Sequence, residues 1–265
     1  MLAEQRQGHI LELIRRDGAV RVADLVSDLA VSDMTIRRDL GVLAEAGLVQ
    51  KVHGGATLVA DSASYEPSFT AKSTLEQAAK RAIAGAAGAM VEPGTAIAMS
   101  AGTTTHAVAG ELLDIPGLTI VTNSVHIADL LYQHGRSDQT VLLTGGIRTP
   151  SDAYVGPLAV NAMASIHVDL VFMGVHGMTR ETGFTTPNML EAETDRALVD
   201  AGRRLVVVAD HTKWGVVGIS SIARLDEADI LISDMGMEPA AIGELRESVG
   251  ELILTDPSTR DRTTV

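Results

Sequence analysis

The chain contains no cysteine, and aromatic residues make up only 3% of its 265 positions. Without thiols there is no disulfide framework, no thiolate metal site and no cysteine nucleophile, which excludes the enzyme classes that depend on them. With so few aromatic rings, the core must be built mainly from Ala, Val, Leu, Ile and Met. The hydrophobic fraction of 46% is ample for a packed interior and excludes a disordered chain.

Long apolar runs are missing as well. No stretch approaches the roughly 18 apolar residues of a membrane span. Residues 1–18 carry charge throughout, which is not the pattern of a signal peptide. We therefore expect a cytoplasmic protein, and the length predicts one or two domains.

Net charge is −13, but it is unevenly distributed. Residues 1–60 hold seven Lys and Arg against eight Asp and Glu, which leaves 14 against 26 for residues 61–265. The negative net charge of the whole chain argues against a protein that binds nucleic acid over its whole surface. The first 60 residues, however, are close to neutral.

The first sixty residues have the periodicity of three helices, predicted over 2–16, 23–29 and 32–46, followed by a small hairpin around 53–55. Ser32 is a good N-cap for the third helix, and Gly47 stands at its expected end. Ile36 and Leu40 fall on one face of that helix. Arg37 and its neighbour Arg38 fall on the opposite face, which predicts a buried side and a basic side.

This layout is typical of a winged helix-turn-helix, in which a helix enters the major groove and arginines pair with guanine. The alternative is an ordinary three-helix bundle whose arginines are solvated or paired with Asp33, Asp39 or Glu45. In the hairpin, His53 either touches a phosphate or holds the turn through a backbone hydrogen bond, and we favour the structural role. The candidate DNA-binding residues are Ser32, Thr35, Arg37, Arg38, Lys51, His53 and Gly54.

Domain organisation follows from a polar segment over 60–73 that contains Pro67 and has no sustained period, as expected of a linker. We predict a DNA-binding domain over 1–59, an effector-binding domain over 74–255 and a tail over 256–265. The larger domain opens with a helix over 74–90. Seven apolar, strand-like runs then alternate with helical stretches, which predicts a doubly wound, mostly parallel α/β fold. These runs are 96–99, 118–122, 141–144, 170–174, 205–209, 230–233 and 252–254.

After the first of these runs, the sequence from Ser100 to Thr105 joins a glycine turn to three threonines at a helix start. Backbone N–H groups, hydroxyls and the helix dipole would cradle an anion there. Polar groups also follow other strands, at Asn123, at the Gly145-Gly146 pair and at Asp210 with Lys213, and should converge on one crevice. Alternatively, such glycines and threonines serve the turns and caps themselves.

Two groups of residues carry a resemblance to a known family. Arg6, the segment Ser32–Leu40, Gly47-Leu48 and Val52–Ala56 closely resemble the DeoR family of bacterial transcription regulators. The resemblance implies a winged helix-turn-helix that binds operator DNA, with the helix after Ser32 as recognition helix and the hairpin as wing. Family members usually carry Arg at the position of Lys51.

The resemblance continues over residues 74–255, which look like the family's effector domain, related in fold to ribose-phosphate isomerase and glucosamine-phosphate deaminase. It implies that Lys80 and the 102–105 turn hold a phosphate, while Asn123, Asp210 and Lys213 face a sugar. Many relatives have Asp at the position of Ser100. The candidate effector-binding residues are Lys80, Ser100, Gly102, Thr103, Thr104, Thr105, Asn123, Gly145, Gly146, Asp210 and Lys213.

A regulator competes here with an enzyme. Sugar-phosphate isomerases use carboxylates and a lysine, for which Asp210, Lys213, Glu191 and Glu193 are candidates. A dinucleotide enzyme is a weaker alternative because the G-x-G-x-x-G spacing is missing. We expect no enzymatic activity, no metal and no cofactor. The predicted protein is a repressor, a homodimer or homotetramer, with operator DNA and a phosphorylated sugar-type effector as partners.

Overall fold

The computed structural model describes residues 3–17, 19–45, 47–52, 54–58 and 68–258. The chain divides into two compact units, Met1–Leu75 and Glu76–Val265. Within the described ranges, every helix falls short of the length and apolar character that a membrane crossing requires.

The N-terminal unit combines helices with a small antiparallel sheet. Its described strands pair in the order β1-β3-β2, so β1, which the sequence patterns did not predict, completes the predicted hairpin. A side chain at Gly55 would collide with the carbonyl oxygen of Val20, so glycine is what allows β1 and β3 to approach. The elements are α1 Ala3–Asp17, β1 Ala19–Arg21, α2 Val22–Leu29, α3 Asp33–Glu45, β2 Val49–Val52, β3 Gly55–Leu58 and α4 Phe69–Ser73.

The core of this unit is formed by the apolar faces of its helices and includes Ile10, Ile14, Leu25, Ile36 and Leu40, each at most 2% exposed. Helix α2 ends where Ala30 adopts a left-handed conformation, with φ of 52°. The tight turn that follows leads directly into α3.

One ion pair ties α1 to α3 inside this unit. The Arg6 guanidinium donates to Asp39 with an Nε–Oδ2 distance of 2.6 Å, and Gln7 donates to the same carboxylate. Asp39 is 3% exposed, so removing either partner would leave a buried charge uncompensated. The pair therefore joins α1 to α3.

The predicted linker differs from the structure in its second half. Residues 60–67 lie outside the described residues, whereas Phe69–Ser73 form helix α4. Leu75 packs against the core of the N-terminal unit. The next helix was predicted from residue 74, but α5 begins only at Gln77 because Glu76 has a left-handed backbone with φ of 48°.

The C-terminal unit contains all seven strands that the apolar runs predicted, within one or two residues at each end. Its helices and strands are α5 Gln77–Gly88, β4 Ala96–Met99, α6 Thr103–Glu111, β5 Thr119–Thr122, α7 Val125–His134, β6 Thr140–Leu143, β7 Ile147–Arg148, β8 Tyr154–Val155, α8 Pro157–Met163, β9 Leu170–Gly174, β10 Gly177–Thr179, β11 Gly183–Thr186, α9 Met189–Ala201, β12 Leu205–Val208, β13 Ser220–Ala223, β14 Ile230–Asp234, α10 Pro239–Ser248 and β15 Glu251–Thr255. Single 3₁₀ turns form at His211–Lys213 and Leu225–Glu227.

The large sheet of the described residues has the order β15-β14-β12-β9-β4-β5-β6, and every pair in it is parallel. Val171 and Met173 of β9 pack into one hydrophobic cluster, whereas Leu170 and Phe172 pack into the other. Both faces of the sheet are therefore covered, which is why its strands are apolar throughout. The predicted parallel α/β fold is confirmed.

The strand order reverses between β4 and β9. From β4 the chain proceeds to β5 and β6 on one side, and β9, β12, β14 and β15 follow on the other side. The connections that leave the carboxyl ends of β4 and β9 therefore lead toward opposite edges of the sheet. Such a topological switch point is the usual place for a ligand in an open α/β sheet. Two small antiparallel sheets, β7-β8 and β10-β11-β13, were not predicted because their strands are short and lack a continuous apolar run.

Candidate functional site

Helix α3 begins with a side-chain cap. The backbone N–H of Thr35 donates to Ser32 Oγ at 3.2 Å, as predicted for an N-cap serine. The Thr35 hydroxyl lies 2.8 Å from the same Ser32 oxygen. Thr35 was predicted among the DNA-binding residues; its hydroxyl takes part in this cap, and its contact with DNA stays a prediction.

The exposed face of α3 carries the predicted arginines. Arg37 is 56% exposed and is paired with Asp33, so one of the ion pairs of the alternative interpretation is present. Arg38 is exposed as well. Met34 is 75% exposed on the same helix, which adds an apolar group to this basic face.

The wing contributes a third cation. A methyl group placed on Gly41 would lie 3.1 Å from Lys51 Nζ, so the ammonium group rests over α3 where the helix has no side chain. Gly54 has φ of 78°, the left-handed conformation that glycine favours in a tight turn. His53 lies outside the described residues.

In the C-terminal unit, Ser100 ties the ends of β4 and β9 together at the switch point. It is 1% exposed, and its Oγ accepts the backbone N–H of Gly174 at 3.0 Å. The hydroxyl is therefore used within the protein.

Asn123 links the next strand end to the same loop. Its Oδ1 accepts the N–H of Ala101 at 2.8 Å, which fixes the orientation of the amide because a flipped amide would set two donors face to face. The residue is 1% exposed, yet Nδ2 has no partner among the described residues. A buried donor without an acceptor is costly and is rare in native proteins.

The glycine-threonine turn opens helix α6 without a side-chain cap. The N–H groups of its first turn are therefore available, and the helix dipole makes that end positive. Thr103 is half-buried and Thr104 is buried. Thr105 was predicted to donate to a ligand, but it is fully buried and its hydroxyl donates to the carbonyl of Gly102 at 3.1 Å, so it stabilises the turn.

Asp210 lies between two lysines after β12. The carboxylate is 1% exposed and accepts the N–H of Thr212 at 3.1 Å. Burial opposes its ionisation, but the charge of Lys213, the Thr212 hydroxyl and the charge of Lys80 outweigh burial, so the pKa of Asp210 lies below its ordinary value. Lys80 is itself 7% exposed. Lys80 and Lys213 therefore place positive charge beside a buried carboxylate at this end of the sheet.

The pairing of His211 with Asp234, beside this cluster, was not predicted. His211 donates its backbone N–H to Asp234 Oδ1 at 2.8 Å, and its Nδ1 lies 2.8 Å from Oδ2 of the same carboxylate. The hydrogen bond to Asp234 raises the pKa of His211, against the effect of partial burial. The signal in the sequence was a histidine directly after Asp210 and a carboxylate that ends the neighbouring strand.

Gly145 and Gly146 serve the turn between β6 and β7. Both have positive φ, and a side chain on Gly146 would meet the carbonyl oxygen of Val155 at 2.5 Å. This close approach accounts for glycine at that position without a ligand. Their predicted role in effector binding stays a prediction.

The carboxylates of the competing enzyme hypothesis occupy different environments. Glu191 is buried and accepts hydroxyl hydrogen bonds from Thr149, Ser151 and Thr186 at 3.1, 2.5 and 2.9 Å. These three hydrogen bonds tie the carboxylate to the protein itself. Glu193 is exposed on α9.

Comparison with protein families matches both units. Residues 6–62 match the DeoR-like helix-turn-helix domain, and residues 75–235 match the DeoR C terminal sensor domain. The chain belongs to the DeoR family. It is a DNA-binding transcriptional regulator, as its sequence motifs predicted.

Individual relatives match this chain over most of its length. It is 34% identical to the HTH-type transcriptional regulator GolR of Listeria innocua, over 94% of this chain and 97% of that one. It is 35% identical to the HTH-type transcriptional regulator GlpR of Haloferax volcanii, over 96% and 98%. It is 32% identical to the Glycerol-3-phosphate regulon repressor of Escherichia coli, over 85% and 90%.

Among solved structures, ribose 5-phosphate isomerase A from Methanocaldococcus jannaschii matches with a TM-score of 0.37 and 15% identity, over 51% of this chain and 53% of that chain.

Proposed function

We propose that this regulator is a repressor whose operator binding is modulated by a phosphorylated sugar or a related metabolite. Residues 1–59 would form the DNA-reading domain and residues 74–255 the sensing domain, joined by a linker. Relatives named as regulators and as a repressor of a glycerol-3-phosphate regulon support this assignment. A protein that reads chromosomal operators would work in the cytoplasm.

Within the sensing domain, the ligand would occupy the crevice at the switch point. The observation that carries this proposal is the buried Nδ2 of Asn123, which lacks an acceptor and lies on the residue that holds the loop before α6. A ligand oxygen would satisfy it. The uncapped first turn of α6, with Thr103 and Thr104, would bind the phosphate, and Lys80 with Lys213 would supply the positive charge.

On the DNA side, Arg37 and Arg38 would read base edges while Lys51 binds a phosphate. Two reading heads must meet half-sites about 34 Å apart or a multiple of it, so we propose a homodimer or homotetramer. The ligand can shift this system only by its differential affinity for two arrangements of the heads.

We propose further that the protein does not catalyse a reaction on its ligand. An isomerase needs a carboxyl group poised to exchange a proton near neutral pH. Despite burial, the pKa of Asp210 lies below its ordinary value because Lys213 and Lys80 compensate its charge. The Glu191 carboxylate accepts three hydroxyl hydrogen bonds from the protein itself. Both carboxylates are therefore engaged within the protein, which supports a binding role.

The test is a thermal-shift screen of the full chain against phosphorylated sugars and polyols, each paired with its unphosphorylated counterpart, with product formation followed by NMR. We expect at least one phosphorylated compound to raise the unfolding temperature while its counterpart does not. Turnover of that compound would contradict the non-enzymatic role. Equal stabilisation by the unphosphorylated partner would contradict the phosphate site.

A further inference from the structure

The two arginines on the exposed face of α3 have different surroundings. Arg37 is paired with Asp33, one turn earlier in the helix, whereas Arg38 has no side-chain partner among the described residues. The Asp33 and Arg37 side chains are 59% and 56% exposed. Ion pairs this exposed contribute little to folding stability. The pair instead restricts the orientation of the Arg37 guanidinium.

The geometry of the pair leaves one edge of the guanidinium open. Arg37 Nε lies 2.5 Å from Asp33 Oδ1, and Nη2 lies 3.3 Å from Oδ2. These contacts occupy the side edge of the fork. The two parallel N–H groups at its end, one on Nη1 and one on Nη2, stay available. That end edge matches the O6 and N7 acceptors that guanine presents in the major groove.

We propose that Asp33 is a positioning residue that holds the Arg37 guanidinium in the orientation for end-on contact with a guanine. The proposal rests on the base-reading role proposed above for Arg37. Because the side chain is oriented before DNA arrives, less rotamer freedom is lost on binding, and the orientation favours one base over others.

The negative charge of Asp33 has a second effect on selectivity. Asp33 is the first residue of α3, at the helix end where a phosphate would otherwise be attracted by free N–H groups and the dipole. A carboxylate there repels the DNA backbone on any sequence. Asp33 therefore weakens non-specific binding while it strengthens the contact to guanine.

The competing explanation is that Asp33 only stabilises α3, since an acidic residue in the first turn interacts favourably with the helix dipole. That role predicts a lower unfolding temperature for Asp33→Asn with base preference unchanged. The positioning role predicts a changed base preference at one position, which helix stabilisation alone would not produce.

The experiment uses the full chain and a duplex selected from a randomised library. Affinities are measured for that duplex, for versions in which each guanine is replaced by adenine or by 7-deazaguanine, and for a random-sequence duplex. Asp33→Asn is expected to lower discrimination at one guanine by about tenfold and to raise affinity for the random duplex. Asp33→Glu, which keeps a carboxylate one turn from Arg37, should recover most of the discrimination.

Asp28→Asn is the matched control, because it removes the same charge from an exposed position on α2. It should leave the guanine preference intact. In an Arg37→Ala background, Asp33→Asn should cause no further loss of discrimination.

The outcomes separate the two proposals. If Arg37→Ala leaves every base preference unchanged, the reading role of Arg37 is wrong. If Arg37→Ala flattens the preference at one guanine while Asp33→Asn retains it, Arg37 reads that base without help and the positioning role of Asp33 is overturned.

Discussion

The two candidate binding sites present their positive charges in opposite ways. In the N-terminal unit, Arg37, Arg38 and Lys51 project from the surface. In the C-terminal unit, Lys80 is 7% exposed and Asp210 is 1% exposed. DNA is an extended polyanion with a charge about every 1.7 Å, so exposed charges can follow it, and salt competes for them. A small anion is recognised instead by few groups in a partly dry site, where each charge acts more strongly and salt screens less.

The largest expected difference between the two units is in how their binding affinities depend on salt concentration. Between about 50 and 200 mM salt, operator affinity should fall by roughly a thousandfold if two heads make six or more phosphate contacts. Affinity for a phosphorylated ligand should fall only a few-fold. Fluorescence anisotropy of a labelled duplex and calorimetric titration of the ligand measure the two slopes. Equal slopes would mean that the sensing site is an open surface.

Removing the two exposed arginines of α3 should affect DNA binding alone. We expect Arg37→Ala with Arg38→Ala to lower operator affinity by about a hundredfold, since a good bidentate contact discriminates by about 1–3 kcal/mol. Ligand-induced thermal shifts should be unchanged. Arg136→Ala, which removes an exposed arginine from the other unit, is the control. Full operator affinity in the double variant would refute the assigned DNA-binding face.

Removing one buried lysine should affect the sensor alone. Lys80→Met keeps an apolar stem but removes a charge that faces Asp210, and we expect a tenfold or greater loss of phosphate-ligand affinity because charge-assisted hydrogen bonds are worth about 1.5–3 kcal/mol. The adjacent residue Arg81 is exposed on the same helix, so Arg81→Met is the matched control. Equal losses in both variants would contradict the site assignment.

Proton binding at His211 should give the smallest effect. Its folded-state pKa is raised by Asp234, so its stabilisation is complete below the ordinary histidine pKa of about 6.5 and is lost as pH rises through the raised value. The lowered pKa of Asp234 adds stability that disappears when pH falls below the carboxylate range. The unfolding temperature is expected to fall by roughly 2 °C between pH 6 and 8, and this fall should be smaller in His211→Asn.

Much of the fold could be predicted from the sequence because its main elements have clear periods. The seven central strands are continuous apolar runs bounded by turn residues, and α3 is flanked by Ser32 and Gly47. Strand β1 and the strands of the two small sheets of the C-terminal unit could not be predicted, because they lack the continuous apolar run that marks the central strands. The late start of α5 depends on the left-handed backbone of Glu76, which its residue type does not announce.

The placement of the candidate residues at the strand ends was predictable, but the use of each side chain was not. Parallel strands end at one edge of the sheet, so the strand endings indicated that edge, and ligand binding there stays a prediction. The sequence did not show which hydroxyls form hydrogen bonds within the protein. Those of Thr35, Ser100 and Thr105 do so, in caps and loop contacts that depend on tertiary geometry. The pairing of His211 with Asp234, 23 residues apart, likewise requires the sheet order.

The central claim is that a ligand in the sensing unit changes how the reading heads bind an operator. The most direct measurement is operator affinity by fluorescence anisotropy with and without a saturating phosphorylated ligand, together with ligand affinity with and without saturating operator. The account predicts that both affinities change by the same factor, because coupling between two sites is reciprocal. Identical operator affinity with and without saturating ligand would contradict it.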